Sequence, residues 1–414
     1  MFDCRTILHQ IQKTYLKDNI PWVIGFSGGK DSTTVLQMVF YALSVLPKEK
    51  LSKEVHVLSN DTLVENPIIA KRIDKQLKKI KSAGKTKLFA HNRKLFNVVK
   101  VKPKLEDTFW VNLIGKGYPS PNRWFRWCTE RLKIKPTSDY ILNTINKHGR
   151  AIIVLGTRKA ESSSRAAIIN KYNNGKILRR HTLPHAFVYA PIANLSNNEV
   201  WAYLLQSPNP WGSRNRELLK LYGNACSGGE CPFVIETGIQ SCGKSRFGCW
   251  VCTVVDRDKS MENFIENGEK WMEGLLTFRN WLHSLRQQRS QYISGRLKAN
   301  VSFGPFLLRT RQEILRRLLK LQKQLGVALI NYDETHYIRA LLQKEAKGRV
   351  KKGLQKFVFK LPEGKYIITI SDFNVLLTPR KRIGPIRMKQ AKFIRSQIVS
   401  SKYSKSTRVM YYLK

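Results

Sequence analysis

Acidic residues are scarce in this sequence. Its 414 residues include 29 Asp plus Glu against 74 Lys plus Arg, a formal net charge of +45 at pH 7. This imbalance excludes an ordinary metabolic enzyme with a balanced surface and favours a polyanionic partner. Apolar residues still make up 42% of the chain, a globular composition that argues against wholesale disorder. We therefore expect a folded, strongly basic protein with room for two or three domains.

Long apolar runs are also missing. No stretch approaches the ~18 consecutive apolar residues of a membrane span, and residues 1–18 contain neither a continuous apolar segment nor a cleavage site. We therefore expect no membrane partner and a cytoplasmic location. In that compartment cysteines are more often thiols or metal ligands than disulfides. Five of the seven cysteines fall between Cys226 and Cys252, which predicts a metal site or reactive sulfur.

Short apolar runs alternate with helical patterns in the first half of the chain. The alternation predicts an α/β fold with a parallel sheet and helices on both faces. Ser196 followed by Glu199 is the signature of a capping box at one helix start. The predicted strands cover residues 20–26, 54–60, 87–92, 151–157 and 186–192, and the predicted helices include 67–81 and 197–206.

Composition shifts predict four segments. They are an α/β domain at 1–207, a Cys-rich segment at 208–256, a basic helical region at 257–343 and a basic C-terminal region at 344–414. The last segment has 19 Lys plus Arg against 3 acidic residues, and we expect it to contact nucleic-acid phosphates or, alternatively, an acidic partner subunit. Helices are predicted at 270–289 and 313–325, and short strands at 356–361 and 365–370.

A Gly-rich loop, Ser-Gly-Gly-Lys-Asp-Ser-Thr at 27–33, lies between the first predicted strand and a helix. Unpaired N–H groups and the helix dipole at such a position attract an anion, and two glycines let a phosphate approach the main chain. The spacing of a Walker A loop is absent. A plain surface turn is the alternative, which the position after a buried strand disfavours.

Two more motifs suit a polyanion. Residues 155–165 contain G-x-R-x-x-E-S-x-x-R, in which Arg158 and Arg165 flank Glu161 and could orient an anion as well as attract it. The second motif is Arg-Trp-Cys-Thr at 126–129, followed by Lys133. Either motif alone could be a solvated charged loop, but three motifs in this order argue against that.

The cysteines favour iron–sulfur ligation over other sites. Cys231, Cys242, Cys249 and Cys252 are separated by eleven, seven and three positions, with one C-x-x-C. A zinc ribbon would normally show two such pairs. A thioredoxin-like redox pair is conceivable, but nothing around it resembles that fold. Four-thiolate iron–sulfur sites tolerate irregular spacings.

The loop resembles the PP-loop, S-G-G-x-D-S, of the ATP pyrophosphatase superfamily, and the other two motifs resemble its PAPS-reductase branch. This resemblance implies an adenine nucleotide alpha hydrolase-like fold that binds ATP with Mg²⁺ and holds the departing pyrophosphate. It also implies catalytic roles for Lys30, Asp31, Arg158 and Glu161. The implied ATP contacts are Ser27, Gly28, Gly29, Lys30, Asp31, Ser32, Thr33, Asp61, Gly156, Arg158 and Arg165, although Asp61 could equally belong to a plain strand-ending turn.

The string C-G-x-S-R-F-G-C-W-x-C at 242–252, together with the other motifs, is similar to the DndC and SspD sulfurtransferases of bacterial DNA phosphorothioation. The resemblance covers about residues 15–290. It implies a [4Fe–4S] cluster on Cys128, Cys242, Cys249 and Cys252, with Cys231 as reserve ligand or sulfur carrier. It further implies an enzyme that adenylates a DNA phosphate and replaces a non-bridging oxygen with sulfur, supplied by a cysteine desulfurase and assisted by other Dnd or Ssp subunits.

Three other functions stay open. A PAPS or APS reductase-type oxidoreductase shares the motifs, but a small nucleotide does not require a charge of +45. A tRNA thiolation enzyme is a nearer alternative. The third is a nucleic-acid-binding subunit with a degenerate nucleotide site, and the intact Lys30, Asp31, Arg158 and Glu161 argue against it.

Overall fold

Six strands form the central sheet of the computed structural model. The strands are β1 (Trp22–Gly25), β2 (Val55–Asn60), β3 (Phe96–Val101), β4 (Ala151–Val154), β5 (Leu178–Arg180) and β6 (Ala186–Tyr189). Their order is β3-β2-β1-β4-β6-β5. All pairs are parallel except β5 with β6, which are antiparallel at one edge. The predicted α/β class is confirmed, and the antiparallel edge strand is an addition.

The described part of the chain comprises residues 4–83, 96–163, 166–167, 169–170, 177–225, 247–288 and 305–352, with side chains described through 346. Backbone is also described for four later strands. The chain divides into two compact units, Met1–Glu334 and Thr335–Lys414.

Both faces of the sheet are buried. Alternate residues of each strand point to opposite faces, so each strand contributes to two clusters. Trp22 and Ile24 pack in a large apolar cluster with the helices on one face, whereas Val23 packs with Ile141 and Ile145 on the other. Burial on both faces explains why β1, β2 and β4 are nearly continuous apolar runs. The helices of the first cluster are α1 (Cys4–Leu16), α2 (Lys30–Ser44) and α3 (Pro67–Ala83).

The helix on the second face begins with the Arg-Trp-Cys-Thr motif. A short helix α4 (Trp127–Thr129) continues through a π-helical turn (Glu130–Ile134) into α5 (Lys135–His148). After β6, α6 (Asn197–Gln206) and α7 (Asn215–Asn224) return to the first face. The predicted capping box of α6 is confirmed, since the Ser196 hydroxyl accepts from the Glu199 amide and Glu199 accepts from the Ser196 amide.

One predicted strand cannot be compared with the structure, and the observed strand β3 was not predicted. The predicted strand at 87–92 lies outside the described residues. The strand that does pair with β2 is β3, which starts at Phe96 and is only partly buried. A partly exposed edge strand contains polar residues such as Asn97 and Lys100, and this weakens its apolar signal.

The remaining helices of the first unit are α8 (Lys259–Glu266), α9 (Glu273–Gln287) and α10 (Leu308–Leu325). They confirm the helices predicted at 270–289 and 313–325. Helix α11 (Tyr332–Lys352) spans the division between the units. In the second unit β7 (Gln355–Leu361), β8 (Gly364–Ile370), β9 (Asn374–Pro379) and β10 (Arg408–Met410) form a sheet of order β10-β9-β8-β7, and the two strands predicted there are confirmed.

The division into units falls after Glu334, not at 208 or 257. Trp211, Leu218 and Tyr222 pack in the same apolar cluster as the strands of the sheet. The four predicted segments therefore differ in composition but do not coincide with separate compact units, and their separate roles stay predictions. None of the helices in the described ranges is long and apolar enough to cross a membrane.

Candidate active site

The Gly-rich loop joins the carboxyl end of β1 to the start of α2, as predicted. Gly28 has φ +71°, and a Cβ there would lie 3.0 Å from Ile73 Cγ1. A Cβ on Gly29 would lie 3.2 Å from the Tyr222 hydroxyl. Gly29 caps α2 without a side-chain hydrogen bond. The loop thus needs glycine at 28, and Gly29 itself adds no side chain between the helix start and an anion.

Ser32 closes the loop on itself. Its hydroxyl accepts from the Ser27 amide at 3.2 Å, lies 3.1 Å from the Ser27 hydroxyl and donates to the Gly29 carbonyl at 3.1 Å. Three contacts from one side chain hold both ends of the turn at a fixed distance. Ser32 therefore shapes the cradle in which a phosphate would bind.

Asp31 lies between two buried cations. Lys30 Nζ is 2.8 Å from Asp31 Oδ2, and Arg158 Nε is 2.7 Å from Asp31 Oδ1. Lys30 is 4% and Arg158 2% exposed, and Arg158 also donates to the Leu195 carbonyl at 3.0 Å. Two cations on one carboxylate leave a net positive charge beside the loop, which favours an anionic ligand.

Gly156 lets the end of β4 touch the start of α2. A Cβ on Gly156 would lie 2.8 Å from the backbone carbonyl carbon of Asp31, a distance that requires the backbone to shift. The hydroxyl of Thr157, the next residue, is buried without a hydrogen-bond partner in the described structure, as is that of Thr33. Buried hydroxyls usually have partners, so both fit a polar ligand such as the phosphates of ATP.

The other predicted loop residues have different surroundings. Glu161 ends a 3₁₀ turn (Lys159–Glu161), and its amide donates to the Arg158 carbonyl. Asp61 follows β2, accepts from the Leu63 amide at 2.9 Å and pairs with Lys100 at 2.7 Å. Arg165 lies outside the described residues. The roles predicted for Glu161, Asp61 and Arg165 stay predictions.

Two side chains that support the loop were missed by sequence reasoning. Arg72 of α3 donates to the Gly28 carbonyl at 2.8 Å, and burial lowers the pKa of its guanidinium. The hydroxyl of Tyr222 on α7 accepts from the Lys30 amide at 3.3 Å, and burial raises its pKa to about 12. Arg72 adjoins the apolar stripe of α3, and this position in the sequence pattern could have indicated that it faces the core side of the helix. Tyr222 lies 192 residues from Lys30, and no local pattern connects them.

Lys133 lies among three of the four predicted cluster ligands. Cys128 and Lys133 are five positions apart on the segment that contains the π-helical turn, a feature common at functional sites. Burial lowers the pKa of Lys133, but the acidic groups Cys249, Glu65, Cys128 and Cys252 raise it above its usual value when they carry negative charge. The Lys133 side chain is half exposed, and its Nζ lies 3.8 Å from Glu65 Oε1.

Cys249 is fixed against the loop that follows β2. It forms an isolated antiparallel bridge with Glu65, and its Sγ lies 3.4 Å from Thr62 Oγ1. The Trp250 amide donates to the Val64 carbonyl at 3.0 Å. Burial raises the pKa of Cys249 to about 12, although Lys133 opposes this. Without a metal ion, the arrangement therefore favours the neutral thiol.

Two arginines of α9 hold the chain that follows Cys252. Arg279 donates to the carbonyls of Cys252 at 2.8 Å and Asp256 at 2.7 Å, and also to that of Val255. Arg286 donates to the Thr253 carbonyl at 2.6 Å. These bonds satisfy carbonyls that a short irregular turn would otherwise leave unpaired. The position of Cys252 therefore depends on helix α9.

The thiols fit the donor set of an iron–sulfur cluster but do not enclose a single metal ion. Among the described residues, no three His, Cys, Asp or Glu side chains are close enough together to hold one. Cys242 and Cys231, the fourth predicted ligand and its reserve, lie outside the described residues. Cysteine thiolates are the usual ligands of iron–sulfur clusters, which are larger than one ion. The predicted ligand set stays a prediction.

Both clusters of side chains lie at the carboxyl edge of the sheet. The phosphate loop follows β1, Gly156 follows β4, and the Cys249 contacts follow β2. The Asn60 side chain, at the end of β2, donates to the Lys133 carbonyl at 2.7 Å. In open α/β sheets ligands bind where the strand order reverses, which here is between β1 and β4. The cysteines lie one strand away.

Family comparison agrees with this geometry. The sequence profile of the phosphoadenosine phosphosulfate reductase domain matches residues 21–255, more than half of the chain. The chain belongs to this family. Members of this family are enzymes, and the predicted fold family is confirmed. The predicted ATP pyrophosphatase and sulfurtransferase activity stays a prediction. The match includes the phosphate loop, the Arg158 motif and all three described cysteines of the cluster.

One curated relative and three solved structures are similar to the chain. An uncharacterized protein of Methanocaldococcus jannaschii is 27% identical over 271 residues, which is 64% of this chain but only 44% of the relative. PAPS reductase from Candida auris in a phosphate complex is 12% identical over 51% of this chain and 83% of its own, with a TM-score of 0.30.

The U34-tRNA thiolase NcsA from Methanococcus maripaludis, with its [4Fe-4S] cluster, is 15% identical over 78% of this chain and 88% of its own, with a TM-score of 0.31. NH3-dependent NAD synthetase from Campylobacter jejuni subsp. jejuni NCTC 11168, in complex with the nitrate ion, is 15% identical over 72% of this chain and all of its own, with a TM-score of 0.29.

Asp31→Ala should destabilise the first unit, because the ion pairs of Asp31 with the buried Lys30 and Arg158 would be lost. The expected loss is about 3–5 kcal/mol, typical of breaking a buried ion pair, and urea denaturation would show it as a lower midpoint. Inorganic pyrophosphate should recover part of the loss by supplying negative charge at the loop. Asp139→Ala, an exposed carboxylate on α5, is the control and should change stability by less than ~0.5 kcal/mol. Equal midpoints for the two variants would contradict the assignment.

Proposed function

We propose that this protein is the sulfurtransferase of a DNA phosphorothioation system of the DndC or SspD type. The main support is one observation: an anion-binding loop follows β1, and the Cys249 thiol lies against the loop that follows the neighbouring strand β2. The loop suits activation by ATP, and the thiols suit sulfur chemistry. The string at 242–252 adds the resemblance to this type of enzyme.

The loop would serve the first half of the reaction. A non-bridging oxygen of the DNA phosphate attacks the α-phosphorus of ATP, and pyrophosphate leaves. Loop amides near Gly28 and Gly29 face the anion, while Asp31 holds Lys30 and Arg158 in place beside it. Mg²⁺ bound to ATP would reduce the charge of the phosphates. Positioned donors and cations of this kind stabilise the charge that grows on the leaving group.

In the second half a hydrosulfide replaces AMP at the activated DNA phosphorus. The phosphorus–sulfur bond forms, the phosphorus–oxygen bond to AMP breaks, and one proton is released. Cys128, Cys249, Cys252 and Cys242 would hold a [4Fe–4S] cluster and so fix the local structure. An iron open to hydrosulfide would exist only if three of these cysteines, not four, were ligands. Lys133 would offset the negative charge of the thiolate ligands. Cys231 is the reserve ligand or sulfur carrier.

The charge of +45 supports a polyanionic substrate. Such a field attracts the backbone of DNA without regard to sequence. The basic C-terminal region at 344–414 would contribute phosphate contacts. A cysteine desulfurase would supply the sulfur, and other Dnd or Ssp subunits would choose or expose the DNA site in the cytoplasm.

The direct test is mass spectrometry of digested nucleic acid. Cells with the gene and its companions should contain phosphorothioate dinucleotides in DNA, and cells lacking only this gene should not. Thiolated nucleosides in tRNA from the same cells serve as the comparison. Gene-dependent tRNA thiolation with unmodified DNA would replace this proposal with tRNA sulfur transfer.

ATP turnover by the purified protein should yield AMP and pyrophosphate, because the loop holds the two phosphates that leave together. Ser32→Ala should reduce this rate at least about tenfold, since the hydroxyl holds both ends of the loop and a small misplacement of reacting groups is costly. Ser44→Ala is the matched control on the same helix; that hydroxyl only donates to the Tyr41 carbonyl, so the rate should hardly change. Chromatography of nucleotides measures both. Release of ADP and orthophosphate would contradict the proposal.

Anaerobically purified protein should be brown and contain about four irons and four sulfides per chain, as a four-thiolate cubane requires. Cys249→Ser or Cys252→Ser should abolish the colour and the iron, because each removes a ligand thiol. Cys4→Ser, on α1, is the control and should retain both. Stoichiometric zinc without iron would overturn the assignment. If Cys242→Ser retains the cluster and Cys231→Ser loses it, the fourth ligand is Cys231 and not Cys242.

A further inference from the structure

Trp124 is an exposed aromatic residue in a basic turn. Its side chain is 90% exposed, and Phe125 beside it is 42% exposed. Arg123 and Arg126, on either side of this pair, are also exposed. The ring contacts found among the described residues of this turn involve Phe125 and its neighbours rather than Trp124. A single exposed apolar side chain is common, but the combination of an exposed indole face with two arginines is the composition of a recognition surface.

Hydrogen bonds and ring contacts hold the turn in a conformation that leaves the Trp124 indole exposed. Asn122 Oδ1 accepts from the amides of Trp124 and Phe125, both at 2.8 Å, and the Asn122 amide donates to the Phe125 carbonyl at 3.3 Å. The ring of Phe125 lies against Tyr118, with centroids 6.5 Å apart. Tyr118 in turn contacts the buried Trp127 edge-on at 5.5 Å. Phe125 therefore anchors the turn, so that binding of a partner by Trp124 requires little further ordering of the chain.

Both ends of the turn are attached to the cysteine site. At one end the Pro121 carbonyl accepts from Thr253 Oγ1 at 2.7 Å, and Thr253 directly follows Cys252. At the other end the chain enters α4, where Cys128 is four residues from Trp124. Four residues span at most about 14 Å between Cα atoms. A group bound on Trp124 would therefore lie close to the thiols.

We propose that the turn at 123–126 is a stacking platform for an unpaired base of the nucleic-acid substrate, with Arg123 and Arg126 on the adjoining phosphates. The proposal rests on the proposed function, since it assumes a nucleic acid at this site. An indole face stacks on any base, which matches the sequence-independent attraction of a strongly basic protein. The bases of an intact duplex already stack on each other, so the preferred substrate is a single strand or a base displaced from its duplex.

Binding of the full-length protein to fluorescein-labelled oligonucleotides tests the platform. Trp124→Ala should weaken binding to a single strand by roughly 5- to 150-fold, the range expected when one aromatic–base stack is removed. Binding to an intact duplex of the same sequence should weaken much less. Trp124→Tyr should retain most of the affinity because a phenol ring also stacks. Trp271→Ala is the matched control: this tryptophan is 37% exposed and donates to Glu269 Oε2, and single-strand affinity should be unchanged.

Two further measurements locate the binding surface. A single strand containing 5-bromodeoxyuridine should photocrosslink to Trp124, as identified by peptide mass spectrometry. The double variant Arg123→Ala/Arg126→Ala should reduce the slope of log affinity against log salt by about 0.7 for each phosphate that an arginine no longer neutralises. Unchanged single-strand affinity in Trp124→Ala would overturn the proposal. The proposal would also be overturned if Trp124→Ala no longer bound a companion protein but still bound DNA. The turn would then be a protein interface.

The outcomes separate this inference from the proposed function. If the wild-type protein forms phosphorothioate DNA and Trp124→Ala binds single strands equally well, the platform fails while the function stands. If Trp124 crosslinks to the strand and its replacement weakens binding, but no phosphorothioate forms in any preparation, the platform stands while the reaction assigned to it fails.

Discussion

The bridge made by Asp31 is the interaction on which the nucleotide site depends. One carboxylate joins Lys30, at the start of α2, to Arg158, beyond the end of β4. It offsets the charge of two buried cations, and removing one partner of a buried ion pair is costly. The bridge also fixes two loops that follow different strands. Gly156 makes this possible because it allows the two backbones to touch.

The cysteine site depends on contacts of another kind. Its three described thiols come from two distant parts of the chain, and backbone hydrogen bonds rather than ion pairs hold them. Val64 fixes Trp250, and Arg279 fixes the carbonyl of Cys252. Lys133, paired with Glu65, is a cation of the same region. Different elements therefore organise the two sites: α2 and β4 position the phosphate loop, whereas α4, α9 and the loop after β2 position the sulfur atoms.

The two sites are related through β2 and α3. Asn60 at the end of β2 binds the Lys133 carbonyl, and Arg72 of α3 binds the Gly28 carbonyl. The segment between them, at 61–66, contacts Cys249 through Thr62 and Glu65. A short stretch of chain therefore touches both sites. This continuity is compatible with the proposed reaction, in which a phosphate is first activated and then receives sulfur.

The sequence by itself determined what depends on near neighbours. The strand, Gly-rich turn and helix at 20–44, the capping box of α6 and the alternation of elements follow from local periodicity and turn chemistry. The partly exposed strand β3 was missed because its alternation of polar and apolar residues is weak. The tertiary structure decided which distant groups meet. Tyr222 reaches Lys30, and Thr62 reaches Cys249, only because the strand order places their loops at the same edge. These two pairs are 192 and 187 positions apart, and contacts over such separations leave no periodic trace in the sequence.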